Sequence, residues 1–389
     1  MISTKKIVDT FLTLVRLNAP SGREREVANY IKNRMDALNL SCYEDDAAKK
    51  FGGNSGNLIC FFPGILKDVP PILLVAHMDS IEPTEGIAPV IEDGIIKTDG
   101  KTILAADDRV GVAALLEAIT SIVENKIPVG PLFLVFTVAE EIGMFGSKSL
   151  KKEKLPVEYS FVLDSSAKPG EIIISAPSSH SFEIRIIGKA AHAAVQPENG
   201  VDAIKIASEA LTKIEKGRVS PTCTINFGVI KGGKAINIVA DEVIIQGDVR
   251  SIHEDESLNW QGKIKDVFTE TAEKYSGKCK IKITEKYKAF NMNENEPIVQ
   301  IAKKSLENIG LEPRCRQYPG GSDANVLNSL GIPSLNFGLG YRNVHSKSEY
   351  VSLENLVFSA KIALSLCKTT ASLKTQKKVL LGSHNNNLK

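Results

Sequence analysis

Five short stretches of this 389-residue chain carry residue types that bind cations and move protons. They are HMD at His77 to Asp79, AADD ending at Asp107 and Asp108, the pair Glu140 and Glu141, Asp164 at the end of FVLD, and His345 in NVHSKSE. Each has an ordinary structural explanation. A His-x-Asp after a strand is commonly a satisfied polar pair. Aspartates ahead of an apolar helix cap its first turn and complement its dipole, and two adjacent ones can divide the work, one facing a cation and the other the helix end. Neighbouring glutamates repel and are relieved by water or by a cation. Taken together, His77, Asp107, Glu141, Asp164 and His345 supply two imidazoles and three carboxylates. That thiolate-free set suits zinc, manganese or cobalt.

The surrounding elements are those that would position such a set. Apolar runs at 58–62, 72–76, 132–138 and 161–163, with an apolar helical segment at 110–122, predict strands buried on both faces and alternating with helices, hence an α/β sheet. His77 and Asp79 directly follow the 72–76 run, at the carboxyl end of a strand, where ligands gather in open α/β sheets. Ser21 and Glu24 have capping-box spacing ahead of Val27, Ile31, Met35 and Leu38, which predicts a helix start. Between 181 and 287 the pattern becomes strand 181–187, helix 203–214, strands 222–230 and 242–249, helix 255–275 and strand 279–287, a ferredoxin-like βαββαβ order. The expected organisation is a larger domain of residues 1–178 and 288–368, an inserted domain of residues 179–287, and a polar, mobile tail at 369–389.

Composition narrows the partners. Lys and Arg total 48 against 46 for Asp and Glu, a net charge of +2, so no single-sign field draws in nucleic acid or membrane. The six cysteines lack the close spacing of a zinc ribbon or redox pair and are expected to be reduced and structural. The first residues are helical in period and interrupted by Lys5, Lys6, Asp9 and Arg16, unlike a signal peptide, and no long apolar run suggests a spanning helix. A cytoplasmic enzyme acting on a small molecule is the expectation.

The order HMD, ADD before a helix, EE after a strand, LD and a late histidine resembles that of the zinc exopeptidases that include peptidase T, carboxypeptidase G and the aminoacylases. TDGKTILAADDRVGVA and the region from PGGSDAN to NVHSKSE look most like the peptidase T branch, and the resemblance runs from Val8 to Cys367. It implies a mixed-sheet catalytic domain with the inserted unit as a lid. It further implies two Zn2+ per chain, with Co2+ or Mn2+ as substitutes: Asp107 bridging, His77 and Asp164 completing one site, Glu141 and His345 the other. Glu140 would be the base, and Asp79 would orient His77.

In the lid, GKAAHAAVQPENG matches the segment whose histidine, here His192, stabilises the oxyanion, often across a dimer; Ala194 stands where the family often has glycine. Asn237 in GGKAINIVAD and Arg250 in GDVRS match substrate-binding positions, and a guanidinium suits a carboxylate. Gly320, Gly321, Ser322 and Asp323 suit either an anion at a helix start or plain capping. The implied activity is hydrolysis of short peptides, release of the first residue from tripeptides, by a homodimer. An N-acyl-amino-acid deacylase or other amidohydrolase, a dipeptidase or a carboxypeptidase would use the same metals and base. A non-catalytic binding protein would be expected to have lost a ligand or the base, and none is missing here.

Overall fold

The computed structural model describes residues 2–385, with side chains described for 2–372. By contacts the chain divides into two units, one of residues 1–174, 292–317 and 322–389, the other of 175–291 and 318–321.

In the first unit the apolar runs become the parallel strands Leu132–Thr137, Ile72–His77, Tyr159–Ser165 and Ser334–Gly338, side by side in that order. Ile72–His77 is buried along its whole length, as a central strand covered by helices must be. Antiparallel strands Leu58–Phe62 and Cys42–Glu44 extend one flank and Glu171–Ala176 the other, giving a mixed sheet in an α/β fold. Because the four central strands point the same way, the residues that follow each of them emerge along one edge.

Helix Ala106–Glu124 is buried at every position from Asp108 to Ile122 and packs on Ile72–His77, on helix Thr4–Val15 and on helix Leu353–Asn385. An all-round apolar helix requires that enclosure. Gly111 permits its approach: a Cβ there would lie 2.2 Å from the Leu163 carbonyl oxygen and 2.4 Å from Asp108 Oδ2. Gly111→Ala is therefore expected to cost about 1–3 kcal/mol by overpacking, read as a lowered Tm. An unchanged Tm would show that the helix has room to spare.

The second unit has its own core, including Phe182, Ile184, Ile186, Ile245 and Phe268. Its strands run Cys223–Gly232, Glu242–Ser251, Ser178–Ile187, Lys278–Tyr287 across an antiparallel sheet, with helices Ala203–Thr212 and Glu254–Lys274 in the βαββαβ connection. A short strand Gly217–Ser220, not foreseen from sequence, pairs with the start of Cys223–Gly232.

The polar tail expected at 369–389 does not begin at 369, because Thr369, Thr370 and Ala371 are buried on helix Leu353–Asn385. The side chains of its later residues lie outside those described. The expectation of six reduced cysteines is overturned at Cys42 and Cys60, which face each other in register on antiparallel strands and form a disulfide. Strand register, not sequence spacing, brings them together. Cys223, Cys279, Cys315 and Cys367 are free. Among the described residues no helix is long and apolar enough to cross a membrane.

Candidate metal centre

The edge of the parallel strands gathers the five ligand candidates. His77 ends its strand with Nε2 3.1 Å from Asp107 Oδ1 and 3.7 Å from Asp164 Oδ1. His345 Nε2 lies 3.0 Å from Glu141 Oε2 and 3.6 Å from Asp107 Oδ2. Asp107 thus stands between the imidazoles with one oxygen toward each.

Asp107 and Asp108, joined by a cis peptide bond, divide their roles. Asp108 lies close enough to His77 and Asp164 to join a cation site. Both its oxygens are nevertheless taken, accepting the Gly111 N–H at 3.0 Å and the His77 N–H at 3.2 Å. It caps the helix and steadies the strand end, which leaves Asp107 as the better ligand.

Asp79 serves two parts of the site. Its Oδ1 is 3.3 Å from His77 Nδ1, which fixes the imidazole ring. Its oxygens also accept the backbone N–H groups of Glu140 at 3.0 Å and Glu141 at 3.2 Å, anchoring the turn that presents both glutamates. The Ser21 hydroxyl donates to Asp79 at 2.6 Å, and Glu24 accepts the N–H groups of Gly22 at 2.7 Å and Ala139 at 3.0 Å. The capping box expected at Ser21 and Glu24 is therefore absent: the helix is Arg25–Asp36, and both side chains support the site instead.

Three further residues bear on the centre and carried no sequence signal as ligands or bases. The Tyr341 hydroxyl, buried, lies 3.0 Å from Asp164 Oδ1 and 3.3 Å from Asp107 Oδ1. The Arg109 guanidinium is buried beside Asp79, Asp108, Glu24 and Glu349, donates to the Met78 carbonyl, and is pushed down to about 10 by burial. Glu349 accepts backbone N–H groups from Leu104, Ala105 and Asp107. A lone basic residue directly after Asp107-Asp108 was the one visible hint.

The electrostatics suit a cation. Burial, reinforced by neighbouring carboxylates, pushes Asp164 up to about 7 and raises Glu140 and Glu141 as well. Hydrogen bonds to Asp107 and Glu141 raise His345 to about 10. Burial opposes protonation of His77, but Asp164 and Asp107 outweigh it and raise the imidazole. Glu141 Oε1 is buried without a hydrogen-bond partner. Crowded carboxylates, two imidazoles and an orphaned oxygen form a donor set that a divalent cation satisfies.

The same shifts set a pH dependence. Burial raises Asp164 from 3.8, and Glu24 and Glu349 from 4.5, to about 7, while His345 rises from 6.5 to about 10. In all four the folded protein holds its proton more tightly than the unfolded chain does. Metal-free protein is therefore expected to lose stability as pH climbs from 4.5 to about 7 and again from 6.5 through about 10. A bound cation, which displaces the protons of Asp164 and His345, should flatten the part of the decline that these two groups contribute. Thermal midpoints of chelator-treated protein check this, and a midpoint rising between about pH 5 and pH 7 would contradict it.

The other site candidates behave differently. His192 is exposed in the second unit, its Nδ1 accepting the N–H groups of Ala194 at 3.2 Å and Val195 at 3.3 Å. The Ala193 N–H donates to the Asn237 carbonyl at 3.0 Å, so residues far apart in sequence share one loop pair. Ala194 is not in the left-handed region, so its methyl is accommodated where the family often has glycine. Arg250 Nε donates to Asp248 Oδ2 at 2.7 Å. Ser322 caps helix Asp323–Ser329 in a capping box with Asn325, and Asp323 accepts the Thr137 hydroxyl at 2.6 Å. Capping accounts for Ser322, and Asp323 is engaged inside its unit; Gly320 and Gly321 fall in the other unit.

The model of peptidase family M20/M25/M40 matches residues 73–369. The chain belongs to this family. This M20/M25/M40 chain is 37% identical to the protein YqjE of Bacillus subtilis (strain 168) over 371 residues, 95% of this chain and 100% of that one. The crystal structure of a tripeptidase from Staphylococcus aureus subsp. aureus Mu50 superposes with a TM-score of 0.93 at 37% identity, covering 96% of this chain and 100% of the other. That of aminopeptidase PepT from Bacillus cereus ATCC 10987 gives 0.91 at 36% identity, covering 95% and 99%. The mixed-sheet peptidase fold is thereby shared along nearly the whole chain, and the possible metal site lies within the matched residues.

Proposed function

We propose that this M20/M25/M40 chain is a dinuclear zinc aminopeptidase that releases the first residue of tripeptides and acts as a homodimer in the cytoplasm. The observation that carries the reading is Asp107, set with one oxygen toward His77 and the other toward His345. His77, Asp107 and Asp164 would hold one cation, and Asp107, Glu141 and His345 the second. Such cations, when bound, supply Lewis acidity toward the scissile carbonyl and acidify water. The names of the tripeptidase and aminopeptidase structures support the peptide substrate.

The chain's own groups do the rest. Glu140, raised by burial, takes a proton from water and returns it to the nitrogen of the departing amine. Asp79 holds the His77 ring and the backbone of both glutamates, so ligand and base move as one piece. Because His192 Nδ1 accepts two backbone N–H groups, the ring proton sits on Nε2, a donor suited to an oxyanion. Asp248 fixes the direction of the Arg250 fork, which with Asn237, Gly320 and Gly321 would grip the peptide carboxylate.

The test compares free, N-acetylated and C-amidated tripeptides. The first residue is expected to leave the free form, with steep loss when either end is blocked. Preference for the N-acetylated form would make the enzyme a deacylase, and release of the last residue a carboxypeptidase. For the dimer, strand Cys223–Gly232 is paired on one side by Gly217–Ser220 only over its first residues, and Val229 and Ile230 farther along it are exposed. That unpaired edge suits a second copy, and sedimentation reads the mass. The Cys42–Cys60 disulfide stands against the cytoplasm, since reducing compartments keep such pairs as thiols. Counting thiols in protein taken directly from cells decides between them.

A further inference from the structure

Ahead of the regular helix that Asp108 caps, the chain makes a tight turn through Ala105, which takes a left-handed φ of 56° and has no side chain able to bond the turn's N–H groups, and through Asp107, which is not helical. Backbone N–H groups at a helix start need partners from elsewhere, and a non-glycine residue in that region must be held there. Both needs are met by one carboxylate far along the chain. Glu349, 1% exposed, accepts the Leu104 and Ala105 N–H groups on Oε2 at 2.9 and 2.7 Å and the Asp107 N–H on Oε1 at 3.1 Å.

Glu349 is itself fixed. It directly precedes strand Tyr350–Ser352, which pairs with Ile95–Thr98, and its N–H donates to the Ser346 carbonyl at 3.0 Å. It also lies in the same loop as His345. One loop therefore meets Asp107 twice, with the His345 imidazole at its side chain and the Glu349 carboxylate at its main chain.

We infer that Glu349 is a positioning residue of the metal centre, clamping the 104–107 turn so that the Asp107 carboxylate faces both cation sites, and that this loop thereby sets the affinity of both. The inference rests on the reading of Asp107 as the shared ligand. The plainer alternative is that Glu349 only caps a helix, which would affect folding stability and leave metal binding alone.

Glu349→Gln separates them, because glutamine keeps the size but offers one acceptor oxygen and turns an NH2 toward a backbone donor. Metal-stripped wild-type and variant proteins are titrated with Zn2+ and Co2+ against a chromophoric chelator, and the Co2+ absorption spectrum is recorded. The variant is expected to bind about 10- to 100-fold more weakly, with an altered Co2+ spectrum and an unchanged far-UV circular dichroism spectrum. Glu349→Asp, which keeps the charge but reaches less far, should fall between the two and serves if the glutamine variant does not fold. Asp202→Ala, which removes the cap of helix Ala203–Thr212, supplies the control for capping alone and should leave metal affinity at the wild-type value. A Glu349→Gln protein with lowered Tm but wild-type affinity and spectrum would overturn the inference. A wild-type protein that binds neither ion would instead overturn the metal reading beneath it.

Discussion

Replacing Glu140 by glutamine is expected to lower kcat on the order of 10²-fold or more while the protein keeps its full metal content. The amide has the size of the carboxylate and leaves the backbone bond from residue 140 to Asp79 in place, so the turn that carries both glutamates should hold its shape. What it lacks is a basic oxygen able to take and return a proton. Glu141→Ala should behave in the opposite way. Its carboxylate lies 3.0 Å from His345 Nε2, so its loss removes a ligand and metal occupancy falls. Metal analysis beside steady-state kinetics reads both variants. Full occupancy in Glu141→Ala with depleted metal in Glu140→Gln would exchange the two assignments.

Removing the metal should abolish hydrolysis, and adding zinc, cobalt or manganese should restore it. The number of ions lost on mutation carries more information than the loss itself. If Asp107 is shared, Asp107→Ala should lose both ions together, whereas His345→Ala should lose one and retain that held by His77 and Asp164. Metal per chain after dialysis, measured on folded protein, distinguishes these outcomes. Undiminished activity in a metal-free preparation would end the metallopeptidase reading. Equal metal loss from both variants would remove the shared role of Asp107.

The sequence was most readable where local periodicity and strand ends coincide. His77, Glu140 and Asp164 each follow an apolar run, and runs buried on both faces must become central strands whose ends line up. Asp107 and Asp108 divide between cation and helix end because only one of two adjacent carboxylates can turn back to the Gly111 N–H. Less readable were partners chosen by long-range register. Cys42 and Cys60 meet across a strand pair, and Glu349 meets Asp107 from more than two hundred residues away. Nothing in the local spacing encodes either contact. Ser21 and Glu24 show the converse: their spacing is that of a capping box, but Asp79 and the Ala139 N–H compete for them and win.

The position of strand Ser334–Gly338 bears on the order in which the molecule can be made. It lies between Tyr159–Ser165 and Glu171–Ala176, strands that are close neighbours in the chain but cannot finish the sheet without it. A nascent chain must therefore present the whole second unit before the central sheet of the first can close, and until then that sheet has an apolar gap open to other chains. The strands of the second unit all lie within one stretch of chain, although the first of them, Ser178–Ile187, gains a neighbour only when Glu242–Ser251 has been made. Closure of the sheet and arrival of His345, a few residues after Ser334–Gly338, therefore fall close together, and the half-built sheet stays open to aggregation while the second unit is being made.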